Sequence, residues 1–240
     1  MGYEMQKTAY VLDFDGTVTT VDLSTLLAMK FGGQEFEETE KAYFQKQIGM
    51  KEWLAKACSV LPPDLHDLVS LSLERGVLRP GFVEFLKHVR SRSCRVFIAS
   101  DGLGFYIEPL LDKFGCRHLI DGIYMNKTIN GKDGLELIIG NAHPSCRICG
   151  NCKAAQVFKL KKEGYRVIYV GDGMNDRFGA SWADQVYARD RLAEYMQGSG
   201  RPYHPWTDFF DLINPPDPAK ESPAAAPLCN PVGEGLSSLE

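Results

Sequence analysis

Asp13-Phe14-Asp15-Gly16-Thr17 places two carboxylates two residues apart, where the short apolar run Thr8 to Phe14 (TAYVLDF) gives way to glycine. Side chains alternate along a strand, so Asp13 and Asp15 share a face, and the glycine lets the chain turn sharply. Paired carboxylates so placed can act as nucleophile and proton donor, although Asp and Gly also favour ordinary turns. A second acidic loop, Gly171-Asp172-Gly173-Met174-Asn175-Asp176, adds two carboxylates and an amide. Hard oxygen donors at that density suit Mg²⁺, which takes one or two carboxylates and keeps its waters for phosphate. Ser100, followed by Asp101-Gly102, offers a hydroxyl and backbone N–H groups to a phosphate oxygen. Lys153 opens a helical pattern. A lysine there adds to the positive end of the helix dipole, which is unfavourable unless an anion binds.

These groups meet only if the elements carrying them end side by side. Arg95 to Ser100 (RVFIAS) and Arg166 to Val170 (RVIYV) repeat the β-rich pattern of the first run, and Gln185 to Ala188 is a shorter candidate. Between them Phe82, Phe85, Leu86 and Val89 follow helical spacing, as do Ile107, Leu110, Leu111 and Phe114, then Ala154, Val157 and Phe158. Gly115 and Gly164 close two of these helices. Such alternation predicts an α/β fold, a three-layer Rossmann-like parallel sheet covered on both faces. Ligands then sit at the carboxyl ends of the strands. Residues 18–78 interrupt the alternation and read as an inserted helical cap, with Leu23, Leu26 and Leu27 in one helix and Leu54, Ala57, Cys58 and Leu61 in another. The core is then discontinuous, 1–17 and 79–214. Asn130-Gly131 signals a hairpin. Residues 215–240, rich in Pro, Ala, Ser and Gly, are expected to be disordered.

Composition narrows the partners. The chain has 240 residues, 44% of them hydrophobic, and a net charge of -4. That balance opposes non-specific nucleic-acid binding, which needs a basic face. No apolar run reaches the length of a membrane span, and Met1 to Lys7 lacks the layout of a signal peptide. A cytoplasmic enzyme with reduced thiols is expected. Oligomeric state is not encoded legibly. His143, Cys146, Cys149 and Cys152 are evenly spaced by three and form a candidate tetrahedral Zn²⁺ site, structural or part of a redox-responsive binding module. The competing reading is a reduced, thiol-rich loop that positions Lys153.

Taken in order, Asp13 to Thr17, Ser100, Lys153 and Gly171 to Asp176 resemble the four motifs of the haloacid dehalogenase-like phosphatases, from about Thr8 to Ala188. The helical insert resembles the cap of the phosphoserine phosphatase-like branch. The resemblance implies a Mg²⁺-dependent phosphomonoester hydrolase. In it Asp13 attacks phosphorus and forms an aspartyl-phosphate. Asp15 protonates the leaving oxygen and then activates water. Ser100, Asp101, Gly102 and Lys153 hold the phosphoryl group, while Asp13, Asp15, Asp172 and Asp176 serve the metal. Without the cation and Lys153, Asp13 and a phosphate dianion would repel each other.

Val18-Thr19-Thr20-Val21-Asp22, Cys149-Gly150-Asn151-Cys152, Ala188-Arg189-Asp190, Pro202-Tyr203 and Asp208-Phe209-Phe210 narrow the likeness further. They resemble the methionine-salvage phosphatases of 2-hydroxy-3-keto-5-methylthiopentenyl-1-phosphate, a subgroup similar to phosphocholine and phosphoethanolamine phosphatases. Phosphoserine is the alternative small substrate, although only Asp22 remains of the acidic pair expected for its ammonium, and Asp22 reads equally as a helix N-cap. Transfer of the phosphoryl group to a second alcohol shares the same first half-reaction.

Overall fold

The computed structural model describes residues 7–132, 134–215 and 226–234. Residues 1–6, on which the absence of a leader was read, lie outside them, as do 216–225 and 235–240 of the expected disordered tail.

Seven strands form one sheet: β1 (Thr8–Leu12), β2 (Arg95–Leu103), β3 (Gly122–Asn130), β4 (Leu135–Ile138), β5 (Arg166–Gly171), β6 (Gln185–Ala188) and β7 (His204–Pro205). Their order is β4-β3-β2-β1-β5-β6-β7. Only the β3–β4 pair is antiparallel. Asn130 pairs with Leu135, so four residues separate the two strands, more than the two-residue turn suggested by Asn130-Gly131. β1 lies between β2 and β5, where the strand order reverses, and such a crevice is where ligands bind in open parallel sheets.

Alternation along the central strands builds the layers. Ala9 and Val11 of β1, with Val167 and Tyr169 of β5, pack to one side beside Val157, Leu160 and Leu192. Leu12, Ile168 and Val170 pack to the other, beside Phe82, Phe85 and Leu86. Each fully buried side chain of this kind contributes roughly 1.5–3 kcal/mol. The first face is covered by α6 (Lys153–Lys162), the short α7 (Asp176–Ala180) and α8 (Asp190–Gly198), and the second by α4 (Phe82–Ser91), α5 (Gly104–Lys113) and α9 (Phe209–Ile213).

Three further helices, α1 (Leu23–Phe44), α2 (Met50–Ser59) and α3 (Leu65–Arg75), occupy the stretch between β1 and α4. Gly33, at φ 52°, breaks α1 into two segments. Asp22 caps α1 by accepting from the Thr25 N–H at 2.8 Å, and Asp64 caps α3 through the His66 N–H at 2.9 Å. Phe36, Trp53, Leu54 and Ala57 form a small core of their own. The chain enters and leaves this region through adjoining segments. Thr20 N–H donates to the Val77 carbonyl at 2.9 Å, and Arg79 N–H to that of Val18 at 2.8 Å. Among the described residues no helix is long and apolar enough to cross a membrane.

Part of the stretch expected to be disordered lies against the core. The Leu228 N–H donates to Ser181 Oγ at 3.2 Å, Trp182 Nε1 to the Cys229 carbonyl at 3.1 Å, and Arg201 to the Ala226 carbonyl at 2.7 Å. Such bonds contribute about 1 kcal/mol each. Truncation after Pro215 is therefore expected to lower the melting temperature by about 5 °C while leaving kcat unchanged. An unaltered melting curve would mean that the segment holds nothing in place.

Candidate active site

Strand β1 runs straight into the first acidic pair, and the Asp13 N–H donates to the Val170 carbonyl at 3.0 Å, continuing the parallel pairing beyond Leu12. Residues 14–18 then form one wide turn. Gly16 adopts φ 80°, and a β-carbon there would lie 2.3 Å from Asp172 Oδ2. Only glycine meets both conditions. From behind, the buried Arg79 guanidinium donates to the Thr17 carbonyl at 2.9 Å and to that of Gly16, fixing the loop by its backbone.

The carboxylates converge as the strand order requires. Oxygens of Asp13, Asp172 and Asp176 all lie within 4.8 Å of one another. Lys153, 3% exposed, sits among them, with Nζ 2.8 Å from Asp13 and 2.6 Å from Asp176. Burial alone would lower its pKa, but Asp13 and Asp176 hold it well above the usual lysine value. Burial, with Asp176 close by, raises Asp13 well above the usual carboxylate range against the opposing pull of Lys153. Burial and Asp176 likewise push Asp172 up to about 7. Three carboxylates face one ammonium, a deficit that a divalent cation would neutralise.

Asp176 is fully engaged by the chain itself. One oxygen accepts from Lys153 and from Tyr169 OH at 2.7 Å, and the other from the N–H groups of Asp172 at 3.0 Å and Gly173 at 2.8 Å. It fixes the lysine and its own loop. Asp172 gives one oxygen to Thr17 Oγ1 at 2.6 Å and keeps the other.

Ser100, 1% exposed, accepts the Gly102 N–H at 2.9 Å, so its hydroxyl hydrogen remains for an incoming oxygen. The phosphate contact expected at Asp101 concerns its backbone N–H, and its side chain has a separate task. It accepts from the Asn151 N–H at 2.6 Å and from Asn175 Nδ2 at 3.2 Å, pinning the loop ahead of Lys153 to the second acidic loop. Gly102 clears space, because a β-carbon there would lie 2.5 Å from Asp15 Oδ2 and 2.3 Å from Tyr106 OH. Asp15 accepts the Leu23 N–H at 2.9 Å and the Tyr106 hydroxyl at 2.5 Å. Burial first, and then the nearby Asp22, push its pKa up to about 8.

A cavity of about 320 Å³ opens above these groups. Its outer wall comes from α1 and α2, with Tyr43, Phe44, Met50, Trp53 and Leu54, and its rim includes Asp190 and Arg191. The Arg191 guanidinium lies 4.0 Å from the Phe44 ring centre, bridging α8 and α1.

The zinc site expected from His143, Cys146, Cys149 and Cys152 is not formed. Among the described residues the one group of three or more such ligands with atoms within 4.8 Å of one another is the aspartate trio. His143 Nδ1 instead closes a local turn, facing the Ser145 N–H at 3.3 Å. Cys152 precedes α6 and packs with Ile148, Ala154 and Phe178, joined by Cys146, Cys149 and the distant Cys229. The bond to Cys146, with burial, raises the Cys149 thiol far up, and burial raises Cys152. Neutral thiols are poor nucleophiles, and the cysteines pack against the first turn of α6 and Phe178.

Sequence reasoning missed Tyr106, Asn151, Arg79 and Arg191. Tyr106 adjoins an apolar helical pattern that gives it no separate sign, and Asn151 stands in the cysteine loop with nothing local to mark its bonds. Arg79 carried one local sign, standing beside Pro80-Gly81 at a helix start.

An aspartate pair at the end of β1, a serine at β2 and a lysine beneath a second acidic loop at β5 define a phosphatase of the haloacid dehalogenase-like type. Residues 8–188 match the family described as "Putative Phosphatase", and the chain belongs to it. A relative from Lysinibacillus sphaericus (strain C3-41), named 2-hydroxy-3-keto-5-methylthiopentenyl-1-phosphate phosphatase, is 32% identical over 208 residues, covering 84% of this chain and 90% of the relative. One of the same name from Bacillus thuringiensis (strain Al Hakam) is 29% identical over 205 residues, covering 83% and 91%. A solved phospho-aspartyl intermediate analogue of phosphoserine phosphatase shares the fold, with a TM-score of 0.61 at 20% identity over 79% of this chain and 90% of that one.

Proposed function

We propose that the chain hydrolyses 2-hydroxy-3-keto-5-methylthiopentenyl-1-phosphate, or a close relative with an uncharged thioether tail, in methionine salvage. The observation that carries this is the state of the cavity's outlying carboxylates. Asp22 is taken by the Thr25 N–H, Glu40 by Trp53 Nε1 at 2.6 Å, and Asp190 by Arg189 at 2.9 Å. A primary ammonium, as in phosphoserine or phosphoethanolamine, would have to share each of them with an existing partner. The wall of Tyr43, Met50 and Trp53 instead suits an apolar tail, and a thioether gains about 0.3–1.5 kcal/mol against an aromatic ring.

Asp13 attacks phosphorus. Asp15 passes its proton to the leaving oxygen and later takes one from water. Lys153 and Ser100 hold the phosphoryl oxygens, with the backbone of Asp101 and Gly102 close by. Mg²⁺ would be held by Asp13, Asp172 and the Asp15 carbonyl, and Asp176 would keep Lys153 beside it. Bound there, the cation offsets charge between nucleophile and phosphate. Residues 18–78 act as the cap that shuts water out. The cysteines form no disulfide, and a reducing cytoplasm is the setting proposed for the enzyme.

The test is phosphate release with Mg²⁺ from the enol phosphate, phosphoserine, phosphocholine, phosphoethanolamine and sugar phosphates. The enol phosphate is expected to exceed the rest by about 100-fold in kcat/KM. Trp53→Ala should raise its KM about tenfold through lost contact area. A preference for phosphocholine would overturn the substrate and keep the chemistry.

A further inference from the structure

Asp15 must act twice in opposite senses. In the first half-reaction its O–H proton moves to the leaving oxygen as that P–O bond breaks and the bond from Asp13 to phosphorus forms. In the second, water gives a proton to Asp15 as its oxygen joins phosphorus and the Asp13–phosphorus link breaks. A carboxyl free to rotate between these steps would lose its aim, and positioning within a fraction of an ångström governs such transfers.

Two of its restraints come from outside the motifs. Tyr106, on α5 and 0% exposed, donates its hydroxyl to Asp15 Oδ2 at 2.5 Å. Ser24 Oγ, on α1, lies 2.8 Å from the same Tyr106 oxygen, and either can be the donor. The Leu23 N–H, beside Ser24, holds Asp15 Oδ1 at 2.9 Å. A hydroxyl both donates and accepts. Tyr106 donates to Asp15 Oδ2 while accepting from Ser24, and it can go on donating when Asp15 is protonated, because the carboxyl proton then faces the leaving oxygen.

We propose that Tyr106 and Ser24 form a hydroxyl pair that keeps the Asp15 carboxyl in one orientation through both proton transfers. This rests on the phosphatase reading with Asp15 as proton donor and acceptor. Tyr106 is a positioning residue, since Asp15 alone meets the reacting atoms. Ser24 and Leu23 belong to the helical insert, so this support is complete only while α1 lies over the core.

The test compares Tyr106→Phe and Ser24→Ala with the wild type on p-nitrophenyl phosphate, in the full chain with Mg²⁺. Nitrophenolate leaves without a proton, so the first half-reaction bypasses Asp15 and the second does not. For Tyr106→Phe we expect a pre-steady-state burst of about one nitrophenolate per site at the wild-type rate. Steady turnover should then be slowed about 10- to 100-fold, part of what general acid–base catalysis supplies, with KM falling in step so that kcat/KM, which reports the first half-reaction, is unchanged. Ser24→Ala should show the same split at about 3- to 10-fold. Wild-type turnover in both variants would overturn the proposal. A burst that falls together with steady turnover would overturn it too, because general loosening affects both half-reactions. If Tyr106→Phe fails to fold, Ser24→Ala decides alone, as it leaves the buried ring in place. A wild type that releases no nitrophenolate would sink the phosphatase reading itself, and the proposal with it.

Discussion

Asp13→Asn is expected to lower kcat by about 10⁴-fold or more, with a melting temperature within a few degrees of wild type. The amide keeps the shape of the carboxyl but offers no anionic oxygen to attack phosphorus. The surroundings should tolerate the change. Lys153 keeps Asp176 at 2.6 Å, and a cluster of three carboxylates loses one negative charge. Chemical quench with radiolabelled substrate checks the assignment, since wild type traps acid-stable label on the protein and Asp13→Asn does not. Label persisting in the variant would move the nucleophile elsewhere. Asp15 would be the next candidate.

Lys153→Met should carry the second-largest cost, and it falls on stability as well as rate. Methionine fills much the same volume, so packing survives. Removal of the ammonium leaves Asp13, Asp172 and Asp176 together with no positive side chain between them. Breaking one partner out of a buried ion pair typically costs about 3–5 kcal/mol, which urea unfolding will read as a lower midpoint at unchanged slope. kcat/KM should fall about 10³-fold, as developing phosphoryl charge loses its fixed donor. Added Mg²⁺ should recover part of the stability, because it restores positive charge, and little of the rate. Wild-type unfolding together with wild-type turnover would remove Lys153 from both roles.

Some of this was legible because it is local. Asp13, Asp15, Ser100 and the Asp172–Asp176 loop each follow a short apolar run, and alternating strands and helices place those run-ends together. Lys153 stood out because it opposes the usual dipole preference. The partners that orient these groups are a different matter. Tyr106 and Asp15 are 91 positions apart, and Asn151 and Asp101 are 50 apart. Nothing in the local pattern separates a phenol that meets a carboxylate from one that fills a core. The cysteine run misled for a related reason. Even spacing by three suggests ligands, yet whether sulfurs converge depends on how the loop wraps around Ile148 and Phe178. Segment 226–234 misled by composition, since a Pro- and Ala-rich stretch can still dock by a few backbone bonds.

Thr20 pairing with Val77, and Arg79 with Val18, has a consequence for how this enzyme class can change. The insert begins and ends at neighbouring points, so it hangs on a two-stranded stem. Its removal or replacement alters no strand order in the sheet. A foreign helical segment grafted there would have to match that spacing and also refill the places that Leu23, Leu27, Cys58, Leu68 and Leu71 hold in the core beside the sheet. The hydroxyl of Ser24 and the N–H of Leu23 sit only a few residues past the stem, so a graft that spares them keeps the support of Asp15. Such an exchange is expected to change which leaving group is accepted while Asp13 and Lys153 stay with the sheet.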